Sequence, residues 1–289
     1  MQVTELVQDV NKLVSLPEVC TRIHQMLEDP RYTSKDIGHV LSQDVDLTAR
    51  LLKIVNSSFY GFPARIDTIN RAITVVGNSE LLVLVLATSA VMTFKNIPAD
   101  LMNMATFWRH SVFTGVIARL LAAHCNVLHS ERLFVSGLLH DIGKLVILYK
   151  LPDSARQVLE ASQNNADNID VNESFEQEEK ILGFNHATVG MEMLKVWNLP
   201  ESLQIAVGYH HSPQQAPSSE LEAAIVHLGN ILAVASEQNR DLVQCLDYVD
   251  PVALKLTGFT ADDIEPIISE AVPRFNEALE LILPAAYRR

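Results

Sequence analysis

Residues 79–94 read SELLVLVLATSAVMTF, and the choice between strand and helix for this stretch decides the fold. Its Val and Leu content suits a strand, because β-branched side chains pack well on a pleated surface. Its length does not. Buried strands stop after roughly 4–8 residues and buried helices run beyond about 10–12, and no turn residue interrupts the run. The stretch therefore predicts a buried helix, and its neighbours read the same way. Upstream, Thr68 stands where an N-cap belongs before Ile69, Ala72, Ile73 and Val76, and Gly77 follows as a helix stop. Leu41, Val45, Leu47, Leu51, Leu52 and Val55 form a helical stripe opened by Ser42 or Asp44. Thr33 or Ser34 caps a segment through Ile37, Val40 and Leu41, and a shorter helix after Pro17 carries Ile23, Met26 and Leu27 and ends at Asp29-Pro30.

Downstream, a long helix fits from Pro98 to about Cys125, and another from about Glu131 to Leu148. Pro152-Asp153, Asn172 or Ser174, His186 and Pro200 open further helices. The polar stretch 163–172 and the Pro/Ser stretch 212–219 read as loops. No run of alternating strands and no Asn-Gly or Asp-Gly hairpin turn is present, so the fold expected is all-α. A modest boundary near residues 94–100 divides it into an N-terminal helical lobe (1–97), a helical core (98–240) and a C-terminal helical extension (241–289).

Composition narrows the function. The chain has 289 residues and a formal net charge of −13, from 22 Lys+Arg and 35 Asp+Glu. Residues 1–150 hold 14 basic and 13 acidic side chains, and residues 151–289 hold 8 and 22. An acidic second half argues against broad docking on nucleic acid or anionic membrane, both of which need clustered Lys and Arg. No stretch reaches the length of apolar sequence that a membrane span needs. The N-terminus lacks the basic and apolar regions of a secretory signal. Cys20, Cys125 and Cys245 are far apart, odd in number and set among apolar residues, which suits free thiols in a reducing cytoplasm. No Gly-rich phosphate loop or nucleophile elbow occurs.

The chemistry concentrates in histidines. Leu138-Leu-His140-Asp141-Ile-Gly-Lys144 places His and Asp side by side in an apolar helix. Burying a carboxylate without a partner is costly, and a divalent cation is one partner that offsets the cost for both residues. The plainer alternative makes Asp141 the cap of a helix break at Gly143 and His140 a satisfied core residue. His110 lies upstream, His186 downstream, and His210-His211 follow another helix. Five histidines and one aspartate exceed the needs of one tetrahedral zinc and suit one or two Fe, Mn, Ni or Zn ions. Lys144 reads either as a partner for phosphate or as a solvated lysine on an apolar helix. Glu178 and Glu179 sit in a charged run that reads as a solvated face, although either lies within two turns of His186. His24, His39, His124, His129 and His227 read as core or surface residues, and Trp108 and Trp197 as core.

His110, His140-Asp141, Lys144, His186 and His210-His211 together resemble the HD phosphohydrolase superfamily. Leu16-Pro17, the segment 42–52, Asn56-Ser57-Ser58-Phe59-Tyr60-Gly61, the segment 69–77, Trp197-Asn-Leu-Pro200 and His227-Leu-Gly-Asn230 narrow the resemblance to the HDOD family of HD-related output domains, over roughly residues 10–240. It implies an all-α, cytoplasmic bacterial signalling module of mostly non-catalytic kind, meeting another signalling protein through the N-terminal lobe. The HD superfamily closes its site with a late aspartate, and the resemblance puts Asn230 at that position, where a neutral amide is a weaker ligand. The Gly-Tyr-Pro motif of the cyclic-di-GMP phosphodiesterase branch is missing after His211, and that branch's glutamate one turn before the first histidine is Thr106 here. The expectation is thus a regulatory module with a retained or vestigial metal pocket. The alternative is a metal-dependent phosphohydrolase, with Lys144 neutralising charge that develops on phosphorus.

Overall fold

The computed structural model describes residues 2–13, 18–57, 60–94, 97–163 and 173–287. The first six helices are α1 (Val3–Leu13), α2 (Glu18–Glu28), α3 (Ser34–Leu41), α4 (Val45–Val55), α5 (Ile69–Val76) and α6 (Asn78–Thr93). The next five are α7 (Met104–His124), α8 (Glu131–Leu139), α9 (Ile142–Lys150), α10 (Pro152–Gln163) and α11 (Glu173–Leu182). The last five are α12 (His186–Val196), α13 (Glu201–Gly208), α14 (Glu220–Glu237), α15 (Pro251–Thr257) and α16 (Ile264–Ile282). Short 3₁₀ turns complete the described residues, which contain no strand. Leu16-Pro17, Ser58-Phe59 and most of the expected loop 163–172 lie outside the described residues.

Residues 79–94 settle as expected. They form most of α6, in which Leu81 to Ala87, Ala90 and Val91 are each at most 7% exposed. A helix buried on every side needs no amphipathic stripe. No single helix among the described residues is long and apolar enough to cross a membrane.

Side-chain caps fix several of the other starts. The Thr33 hydroxyl accepts from Asp36 N while the Asp36 carboxylate accepts from Thr33 N at 2.8 Å. Asp44 accepts from Leu47 N at 2.9 Å, and Thr68 from Arg71 N at 3.2 Å. Each such cap stabilises its helix by about 1 kcal/mol. Three boundaries differ from the expectation. Leu41 ends α3 and does not continue into the stripe of α4, because Asp44 opens a new helix. The long helix begins at Met104, not Pro98, because Asn103 Oδ1 accepts from Ala105 N and Thr106 N at 3.0 and 3.2 Å. The helix expected over 131–148 is two helices, broken at His140-Asp141.

One core runs from Leu6 to Leu283. At its centre α7 packs against α8, α14 and α16. The α7–α8 crossing is backbone on backbone. A Cβ on Gly137 would lie 2.6 Å from Gly115 Cα, and one on Gly115 would lie 2.6 Å from Phe134 O. That closeness brings His110, five residues before Gly115, beside His140, three residues after Gly137; their ring centroids are 5.3 Å apart. Gly137→Ala should therefore lower stability by about 1–3 kcal/mol, measured by urea unfolding, and an unchanged midpoint would contradict the close crossing.

Candidate metal centre

The break between α8 and α9 makes the site. His140 keeps helical angles as the last residue of the α8 path, and Asp141 leaves it at φ −98° and ψ 8°. Although Asp141 stands at the N-cap of α9, its carboxylate makes no capping hydrogen bond. It turns instead to side chains. Oδ2 accepts from Lys144 Nζ at 2.8 Å, and Oδ1 faces His186 Nε2 at 3.2 Å and His210 Nε2 at 3.9 Å. The first turn of α9 lies against the first turn of α12. A Cβ on Gly143 would sit 1.9 Å from His186 O and 2.7 Å from Gly190 N. Only glycine permits that approach, and it sets His186 against Asp141.

Four histidines are held by one rule. His140 Nδ1 donates to Gly137 O at 2.7 Å, and His210 Nδ1 donates to Val207 O at 2.7 Å. His186 Nδ1 donates to Glu178 Oε2 at 2.6 Å, and His110 Nδ1 donates to Glu237 Oε2 at 3.0 Å. With Nδ1 carrying the proton, each neutral ring keeps its lone pair on Nε2. His186 Nε2 lies 3.0 Å from His211 Nε2. Nε2 of both His140 and His210 is buried without a hydrogen-bond partner, as is Asn230 Oδ1.

Two sets of ligand atoms each lie within 4.8 Å of one another: His186, His210 and His211, and His110, His140 and Asp141. Tetrahedral ligands about 2.0–2.1 Å from a zinc ion sit roughly 3.3 Å apart. The His186–His211 and His186–Asp141 separations are close to that value. Orphaned buried nitrogens, proton-pinned rings and a shared carboxylate make a donor set that fits a transition-metal cation.

Burial dominates the electrostatics. It pushes His140 down to about 4, with Asp141 opposing and His110 adding to the shift. Burial and the neighbouring histidines hold His210 and His211 well below the usual imidazole value. At His186 burial lowers the pKa, but Glu178 and Asp141 outweigh it and the net shift is upward. At Asp141 burial raises the pKa, but His140, Lys144 and His186 hold the carboxyl well below the ordinary range.

The structure thus brings His110, His140, Asp141, Lys144, His186, His210 and His211 together. Asn230 lies on α14 between His227 and Glu237, both of which touch the cluster's histidines. Lys144 is neither fully solvated nor unpaired: it is ion-paired with Asp141, with its side chain 24% exposed. Two residues read from sequence as bystanders support the cluster. Glu178 is 4% exposed, not solvated, and also accepts from His186 N at 2.6 Å. His227 Nδ1 donates to His210 O at 2.7 Å, and its Nε2 accepts from Asp250 N at 3.0 Å. Glu237 was not singled out in the sequence; its spacing of seven from Asn230, two turns along one helix, was the available signal. Trp108 and Trp197 are core residues, as expected.

Comparison with known proteins places this architecture. The HDOD domain family matches residues 13–213, and the chain belongs to that family. An uncharacterised protein of Treponema pallidum (strain Nichols) is 26% identical over 212 residues, covering 72% of this chain and 39% of that protein. A "Putative phosphohydrolase" from Shewanella amazonensis SB2B superposes with a TM-score of 0.72 at 22% identity, over 98% of each chain. An HDOD domain protein with unknown function from Geobacter sulfurreducens superposes with a TM-score of 0.70 at 24% identity, over 97% of this chain and 98% of that one. At these identities the two structures share the fold.

Two outcomes follow from the protonation pattern. With metal removed, His140, His210 and His211 stay neutral in the folded protein at a pH where the unfolded chain protonates them. The unfolded state then binds more protons, so stability falls as pH drops from about 6.5 toward 4, by up to about 1.4 kcal/mol per pH unit for each histidine. His186, with its raised value, is protonated in both states over that range and does not offset the loss. Urea unfolding of chelator-treated protein at pH 7 and pH 5 should show the loss; equal stability would contradict neutral burial. Separately, Glu178→Gln should weaken binding of Zn²⁺, used as a probe, by about 10–100-fold, read by competition with a chromogenic chelator.

Proposed function

We infer that this protein is a regulatory module of bacterial signal transduction that holds a transition-metal cation as part of its structure. The carrying observation is the set of four histidines pinned at Nδ1 around Asp141. Asp141 also separates this reading from catalysis. Lys144 Nζ pairs with Oδ2 at 2.8 Å and competes for it with His140 Nε2 at 3.4 Å, whereas Oδ1 faces His186 and His210 alone. Asn230 brings no charge to the second position. His186, His210 and His211 with Asp141 Oδ1 thus form the better cation site, and His110 and His140 the weaker one. The family membership supports the regulatory role, with docking of another signalling protein on the near-neutral N-terminal helices and a cytoplasmic setting.

A second reading has one specific support: His110, His140 and Asp141 also lie within 4.8 Å of one another. If both sets were loaded, the protein would suit hydrolysis of a nucleotide or other phosphate ester. Bound transition metals supply Lewis acidity and lower the pKa of water. This chain's own residues would orient that chemistry: Glu178 and Glu237 hold His186 and His110, and Lys144 would leave Asp141 to meet a phosphate oxygen.

Elemental analysis of the purified protein should find about one transition-metal ion per chain, and His140→Ala with Asp141→Ala should lower that content sharply. A wild type free of transition metal would contradict the proposal. On metal-loaded protein, a phosphate-release screen with nucleotides and phosphodiesters should show no turnover, and steady turnover would favour the second reading.

A further inference from the structure

Beside the histidine cluster, α9, α10 and α11, with Met102, line a half-open pocket of about 180 Å³. Its walls are aliphatic, with Ile147, Val158 and Leu159 among them, and its polar groups are Lys144, Ser174 and Glu178. Interiors hold few voids larger than a water molecule, and an apolar cavity of about 150 Å³ is known to take up benzene. A space of this size and lining suits a single ring or short alkyl chain.

The polar groups specify the head of such a ligand. Both Glu178 oxygens are engaged: Oε2 accepts from His186, and Oε1 accepts from Ser174 Oγ at 3.4 Å. Lys144 has three ammonium protons, one of them on Asp141, and its side chain is 24% exposed. The group free to bind is therefore a cationic donor, and it suits an anionic acceptor.

We propose that this cavity is a binding site for a compact anionic amphiphile, with its carboxylate or phosphate on Lys144 and its apolar body among Ile147, Val158 and Leu159. Lys144 also pairs with Asp141, and Glu178 with His186, so an occupant touches the two side chains that orient the metal centre. The inference deepens the regulatory reading by naming a chemical input for it. Ligand binding and metal content are measured separately, so either can fail without the other.

The test is calorimetric titration of the purified full chain with three probes that share one body: phenylacetate, 2-phenylethanol and 2-phenylethylamine. Phenylacetate should bind at least ten-fold more tightly than the alcohol, and the amine should not bind. Val158→Trp, which fills the cavity, should weaken phenylacetate at least ten-fold with metal content unchanged. If that variant does not fold, the acid-against-amine comparison in the unaltered protein decides. Absence of phenylacetate binding, equal binding of acid and amine, or full binding by a folded Val158→Trp would overturn the proposal.

Discussion

The structure turns on the burial of one carboxylate. Asp141 is 4% exposed and lies at the break between two apolar helices. An ionised carboxylate in such a place is tolerated only with cationic or hydrogen-bonding partners around it. Lys144 supplies one, and His186 and His210 gather on the other side. The interruption between α8 and α9, the glycine contact of α9 with α12 and the close α7–α8 crossing all serve that gathering. Each histidine drawn toward Asp141 is then locked by an acceptor behind it. Its lone pair faces inward, so the cluster is organised before any cation arrives.

On the regulatory reading proposed above, this organisation explains how the site can persist without turnover. A preformed set of imidazoles binds metal with little ordering cost, and a structural cation contributes its binding energy to folding. Catalysis asks for more: a second well-charged position and a carboxylate free to serve both. On that reading, the Lys144 ion pair on Oδ2 and the neutral amide of Asn230 weaken the second position while leaving the histidine set in place.

Much of the fold was legible in the sequence because its signals are local. Thr33, Asp44 and Thr68 cap helices where their side chains meet nearby backbone donors. The length of residues 79–94 outweighed their strand-like composition. The break at His140-Asp141 was harder to read, because apolar residues continue through it at Leu138, Leu139, Ile142 and Leu145 and hide the change of direction. The histidines and Asp141 were legible as a set through their likeness to a family, and the structure supplies their convergence. Glu178 was hidden in a charged run. Its path to His186 depends on the turn between α11 and α12, where Gly183 adopts φ 78°, and composition cannot show that. Lys144 was ambiguous because sequence spacing does not say whether a lysine reaches solvent or the carboxylate one turn behind it.

The central claim is that His186, His210, His211 and Asp141 form a cation site. X-ray absorption spectroscopy at the edge of the metal that copurifies with the protein tests it most directly. The account predicts a first shell of nitrogen and oxygen at about 2.0–2.2 Å, with the outer-shell scattering of about three imidazole rings. A spectrum without imidazole scattering, or with sulfur as the main ligand, would contradict it.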